Sequence, residues 1–243
     1  MKGSLQRIYW VYLKELASFF GSSLPPLSIG ILAFCCGFVS VILASTDRAT
    51  YEQVTIAIFY IFYILTLGAG VFLSMSAFVN ERRQGTLELL YSLPISDLEL
   101  VIGKFLLNFS ILGALLFLMQ GVYIFWIAET PMYMTATGLI GLWLVAMYAT
   151  SVGIFASSFT ESHLISLLIA TGILVFVDIG GYLAGLLPAP AREIFSYMHA
   201  LDQFNPFTRG ILPLQGTLFF GGLTVLFLFF TVRVLESRRW RGN

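Results

Sequence analysis

Asp178 is the only acidic or basic side chain set well inside one of the chain's long apolar runs, 164–187. Burying a lone carboxylate in hydrocarbon costs at least about 2.5 to 3.5 kcal/mol, so this position calls for a hydrogen-bond donor or for water. Two readings answer that demand. Asp178, with Tyr182 one turn further on, would line the outward half of a translocation path. Alternatively, the carboxylate would be bonded to a neighbouring hydroxyl such as Tyr182, or to an amide freed by a broken helix. About 14 residues from Leu164, at 1.5 Å rise each, place it roughly 21 Å into the span. Gly180, Gly181 and Gly185 follow at once, which predicts a helix that loosens where irregular backbone faces protein or water.

The second group of candidate residues is the stretch NERRQGTLELLYSLPISDLE, Asn80 to Glu99. It separates uncharged runs of 26 residues (Val54 to Val79) and 24 residues (Phe105 to Ala128), and roughly 20 apolar residues cross a bilayer core. Its charges, Glu81, Arg82, Arg83 and Glu88 among them, therefore sit in a loop, and the work open to that loop is mechanical. Gly85 stops the helix that carries Asn80 to Gln84 out of the membrane, because glycine takes the left-handed conformation at a helix end without steric cost. Thr86 is placed to cap a second short helix, with Leu87, Leu89 and Leu90 as its apolar face. Pro94 ends that helix by pushing Leu93 out of the helical region. Ser96 and Glu99 then stand at capping-box spacing and start the next span. A two-turn amphipathic helix held between two rigid spans can take force from a soluble partner, although the pattern alone also fits an ordinary charged loop.

Other chemistry is mostly excluded. Gly103-Lys104 has Leu98 where a phosphate-binding loop needs its first glycine, and Phe105 where it needs a hydroxyl, so this chain is expected to bind no nucleotide itself. Cys35 and Cys36 are adjacent, lack metal-ligand spacing and read as small core residues. His163 and His199 are assigned to opposite sides of the membrane, so no metal site is expected. An intramembrane serine protease would need a Gly-x-Ser-Gly motif, which is absent.

The elements that must position these residues follow from composition. With 58% hydrophobic and 11% charged residues and a mean hydropathy of +0.89, the chain is an all-α integral membrane protein forming a single domain. Six spans are expected, at about 24–45, 54–79, 100–128, 132–158, 164–187 and 214–235. A charged loop occupies 80–99 and an external loop 188–213. With the N-terminus in the cytoplasm, ten of the 13 Lys and Arg residues fall on the cytoplasmic side, against Arg48, Arg192 and Arg209 outside. Both termini are then cytoplasmic, and no basic groove for nucleic acid exists. Ahead of the first span, residues 5–20 read as an interfacial helix. Leu5, Ile8, Tyr9, Tyr12, Leu13, Leu16, Phe19 and Phe20 share its apolar arc, with Arg7, Lys14, Glu15 and Ser18 on the back. In the external loop, 192–198 is read as a short surface helix, and Phe195, Tyr197, Phe204 and Phe207 suit the headgroup zone.

The run Glu81 to Ser96, with Gly103-Lys104-Phe105 after it, resembles the cytoplasmic loop of type-2 ATP-binding-cassette (ABC-2) permeases. The shared positions are Glu81, Arg82, Arg83, Gly85, Thr86, Pro94, Ser96, Gly103 and Lys104. The six-span layout and the basic tail extend the likeness, which is nearest to the short gliding-motility and nitrous-oxide-reductase accessory permeases. The resemblance implies a bacterial inner-membrane permease, an exporter, with a coupling helix at Thr86 to Tyr91 that docks an ABC ATPase. It further implies two ATPase copies carrying ATP and Mg, a second permease copy or sister permease, and a surface helix bracing the assembly through Ile8, Tyr12, Leu16 and Phe19. The alternative is a stand-alone secondary transporter or channel using Asp178 as its proton or ion site, although no inverted repeat is apparent.

Overall fold

The computed structural model describes residues 2–21, 30, 51–86, 95–126, 132–183, 188 and 197–239. The expected first span, 24–45, lies outside these apart from Gly30, as do Leu87, Glu88, Leu89, Leu90 and Pro94. The described residues are all helical or irregular: α1 (Lys2–Gly21), α2 (Tyr51–Ser74), α3 (Val79–Arg83), α4 (Asp97–Trp126), α5 (Met132–Ser157), α6 (His163–Leu183), α7 (Ala200–Thr208) and α8 (Leu214–Arg239). Five of the segments, within 55–83, 97–119, 132–157, 163–181 and 214–237, are long and apolar enough to cross a membrane.

α5 is the central helix, packed by α2, α4, α6, α7 and α8. Bare glycines make the approach close. A Cβ at Gly70 of α2 would lie 2.6 Å from Ala149 Cβ, and one at Gly153 of α5 would lie 2.6 Å from Ser74 Cβ. Small residues are how membrane helices approach one another, since lipid offers no hydrophobic drive for their association. Around this seam Phe59, Tyr148, Phe204, Phe207 and Phe220 are fully buried. A second cluster, Val11, Phe78, Leu100, Val101, Phe105, Ile154 and Leu235, joins α1 to the ends of α4, α5 and α8. α6 and α8 instead expose apolar side chains such as Leu168, Phe176, Val225 and Phe229. Several hydroxyls within the spans bond one turn back on their own helix, as in Ser74 to Gly70 O at 2.6 Å, Thr150 to Ala146 O at 2.7 Å and Thr231 to Phe227 O at 2.8 Å.

Several expectations need correction. The second span does not run straight into the charged loop: residues 75–78 form a turn between α2 and α3. The Ser74 back-bond, of a kind that bends helices, sits at that break. α6 does not loosen at Gly180 and Gly181 but continues to Leu183, Gly185 lying outside the described residues, and a Cβ at Gly181 would collide with His199. That glycine serves close packing. In the external segment, 200–208 is a helix rather than loop, and Phe204 and Phe207 are core residues rather than headgroup aromatics. Thr137 Oγ1 donates to Phe207 O at 2.9 Å and ties α7 to α5. Gly210, at φ +85°, ends α7 with Ile211 N–H donating to Pro206 O at 3.1 Å. Of 192–198, only Tyr197 and Met198 lie among the described residues, and Tyr197 is exposed.

Candidate functional sites

Three elements meet at the base of the charged loop. Gly85 has φ +68°, and there Thr86 N–H donates to Glu81 O at 3.0 Å while Gly85 N–H donates to Arg82 O at 3.1 Å. This pair of bonds closes α3 and turns the chain sharply, a geometry that a residue with a Cβ adopts only under strain. Thr86 Oγ1 also donates back to Glu81 O at 3.3 Å, so the hydroxyl read as the cap of the following helix serves the preceding one here. Where the chain returns, Ser96 N–H donates to Glu99 Oε2 at 3.0 Å and Glu99 N–H to Ser96 Oγ at 3.3 Å, a complete capping box at the start of α4. Arg82 Nη1 donates to Ser158 O at 3.0 Å, tying α3 to the end of α5, while Arg83 is exposed.

Lys104 organises the underside of this loop. It is 2% exposed and lies 2.9 Å from Glu81 Oε1 and 3.1 Å from Glu15 Oε1, with the Phe78 ring 5.2 Å away. The three side chains join α1, α3 and α4. Arg7 meets Glu99 at 3.5 Å, and Val11 sits against Gly103, where a Cβ would come within 2.6 Å of it. One edge of the back of α1, at Arg7 and Glu15, therefore meets protein instead of water, while Lys14 and Ser18 stay exposed. Leu5 and Tyr9 of the apolar arc point outward and are exposed, Ile8 and Leu16 are half-buried, Tyr12 Oη bonds Ser110 Oγ at 3.2 Å, and Phe19 packs on the main core. Sequence reading missed this network, although Arg7, Val11 and Glu15 recur every four residues and meet Glu99, Gly103 and Lys104 in the same order.

At the other site, Tyr63 Oη donates to Asp178 Oδ1 at 2.8 Å. Leu201 N–H, in the first turn of α7, also bonds the Asp178 carboxylate, and His199 lies close by. Asp178 thus caps a helix of another segment and links α2, α6 and α7. Its hydroxyl partner is 115 positions away rather than the neighbouring Tyr182, whose side chain lies outside the described residues. His199 Nδ1 is 2.6 Å from Asp202 Oδ2. A cavity of about 280 Å³ opens beside Asp178, lined by Tyr60, Tyr63, Ile179 and His199 among others. Asp178→Asn is expected to keep α7 docked, because the amide oxygen still accepts from Tyr63 and Leu201. Asp178→Leu strands both donors and costs about 1–3 kcal/mol. Hydrogen exchange across 200–208 should accelerate in the leucine variant alone; equal protection in both would remove the capping role.

Against proteins of known type, the family described as ABC-2 family transporter protein matches residues 36–215, which is 180 of the 243. No curated protein matches the chain significantly.

Proposed function

The chain belongs to the ABC-2 transporter family, and from that premise we propose that it is the permease half of an exporter, driven through the loop at 80–99 by separate ATPases. Membership makes it a multi-pass transmembrane permease and implies an ABC ATPase partner. The finer reading places both termini and the loop on the cytoplasmic side of a bacterial inner membrane. Two copies of this chain, or one with a sister permease of the short accessory type, enclose the path. Two ATPases bind the ATP and Mg, and each grips the helix Thr86 to Tyr91.

The observation that carries the reading is the left-handed turn at Gly85 above the buried Lys104–Glu81 pair. It fixes where the loop leaves α3, while the Ser96–Glu99 box fixes where it rejoins α4. A push on the segment between those two points bears on α2 through the Ser74 turn and on α4 directly. Closure of the ATPases would tilt both and open the path toward the side where Asp178 and Tyr182 are proposed to line it. The cavity beside Asp178 supports that assignment.

Leu89→Asp should remove the apolar contact with the ATPase and abolish co-purification, a loss of a few kcal/mol if that side chain is buried in the complex. Gly85→Val should retain at least part of the ATPase yet uncouple hydrolysis from transport, since the β-branched residue misaims the loop without deleting a contact. Both are read by ATPase recovery together with transport in reconstituted vesicles. Wild-type behaviour of both would instead favour the stand-alone transporter with Asp178 as its ion site.

A further inference from the structure

Between α1, the end of α2, α3 and α4 lies a cavity of about 390 Å³, room for about a dozen waters at ~30 Å³ each. Its walls carry two cations and two anions, Lys14, Lys104, Glu15 and Glu81, together with the amides of Asn80 and Asn108. Lys104 is committed to the two carboxylates. Lys14 is not: it is 60% exposed and stands 3.7 and 3.8 Å from Glu15 and Glu81, beyond hydrogen-bond reach. Glu81 Oε2, in contrast, is buried and has no hydrogen-bond partner. The cavity thus offers a cation able to move and, just behind its wall, a carboxylate oxygen without a donor that a turn of the Glu81 side chain would present, in surroundings of zero net charge.

Its depth is set by α1. That helix turns Leu5, Tyr9 and Trp10 outward, with Tyr9 and Trp10 edge to face at 6.4 Å, the kind of aromatic surface that rests among headgroups. Leu73, Ala77 and Leu107 give the cavity an apolar side.

We infer that this cavity binds the headgroup of a zwitterionic lipid bearing a primary ammonium, as in phosphatidylethanolamine. As it enters, the ammonium turns the Glu81 carboxylate toward the cavity and donates to Oε2, and the phosphate is held by Lys14 with the amides of Asn80 and Asn108. An anionic headgroup would gain Lys14 but bring no cation to Glu81; the glycerol hydroxyls of phosphatidylglycerol could give Oε2 only a neutral donor, weaker than an ammonium. A trimethylammonium headgroup has no N–H to donate, so the site separates two lipids of equal charge by hydrogen bonding alone.

The test is native mass spectrometry of the purified chain with its bound partners, released from micelles containing phosphatidylethanolamine, phosphatidylcholine and phosphatidylglycerol of matched acyl chains. Phosphatidylethanolamine should be retained about tenfold or more over phosphatidylcholine, the scale of one charge-assisted hydrogen bond. Glu81→Gln keeps an acceptor for Lys104 but can turn an amide toward the ammonium, and should erase that preference. Lys14→Gln, at an exposed position that folding does not need, should weaken retention of both lipids. Equal retention of the two lipids by the unaltered protein, preferential retention of phosphatidylglycerol, or unchanged retention in Lys14→Gln would each overturn the assignment. Should Glu81→Gln fail to accumulate, Lys14→Gln decides alone.

Discussion

Lys104→Ala is expected to lower the stability of the folded permease by about 3–5 kcal/mol, the range for removing one partner of a buried ion pair. Two carboxylates, Glu15 and Glu81, converge on Lys104 at 3.1 and 2.9 Å. Without it the two carboxylates, largely buried at the edge of the cavity, face each other with only Lys14 near, and Lys14 is mostly in solvent. The cost should fall chiefly on the uncompensated charges rather than on lost packing. Adding Glu15→Gln and Glu81→Gln to Lys104→Ala should therefore recover much of the loss, whereas Lys14→Ala alone should cost less than about 1 kcal/mol. Thermal unfolding in one detergent, followed by the fraction still monodisperse, compares the four proteins. If the triple variant is no better than Lys104→Ala, packing rather than charge holds α1 to α4.

Substitution at the seam between α2 and α5 should be nearly as damaging. A Cβ at Gly70 would lie 2.6 Å from Ala149 Cβ and 3.3 Å from the backbone of Ala149 and Thr150. A Cβ at Gly153 would meet Ser74 Cβ at 2.6 Å and Val71 Cα at 3.3 Å. Backbone cannot step aside as a flexible side chain can, so the helices must part. Gly70→Val and Gly153→Val should each cost about 1–3 kcal/mol, and both together more than either, since they pry open one seam. Gly68 is an internal control: two residues away on the same helix, it has nothing within 4 Å of an added Cβ. Gly68→Ala should be neutral or raise stability by about 0.5–1 kcal/mol through helix propensity. Equal effects at Gly68 and Gly70 would show that the close approach does not limit stability.

Hydropathy and punctuation carried much of this fold. The expected spans at 54–79, 100–128, 132–158, 164–187 and 214–235 overlap long helices, because length and lipid compatibility are local properties of a segment. Gly85 and the Ser96–Glu99 pair were legible for the same reason, each being settled within a few residues. What escaped depends on which face meets which. α1 was read as lying on the bilayer, with its apolar arc toward lipid and its charges toward water. Leu5 and Tyr9 are exposed as that reading requires, but which edge of the helix meets protein depends on partners about 90 positions away, and Arg7 and Glu15 pair with Glu99 and Lys104 of α4. Phe204 and Phe207 were misplaced likewise, for an aromatic suits a headgroup belt and a core equally well. The Tyr63–Asp178 bond spans 115 positions, and no local pattern announces it.

The hydroxyls bonded to their own helix bear on how the chain is made. Helices leave the ribosome in order, and α5, which covers Gly70 and Ser74, is complete only 83 residues after α2 ends. At ~5–20 residues per second that interval is about 4–17 s. Throughout it α2 stands in lipid without the neighbour it is shaped for. Ser74 already has its acceptor in Gly70 O, and Thr150, Thr224 and Thr231 have theirs on α5 and α8. Each of these spans can therefore wait alone in the bilayer with those polar groups satisfied, and later assembly requires only that bare glycines find the surfaces cut to fit them.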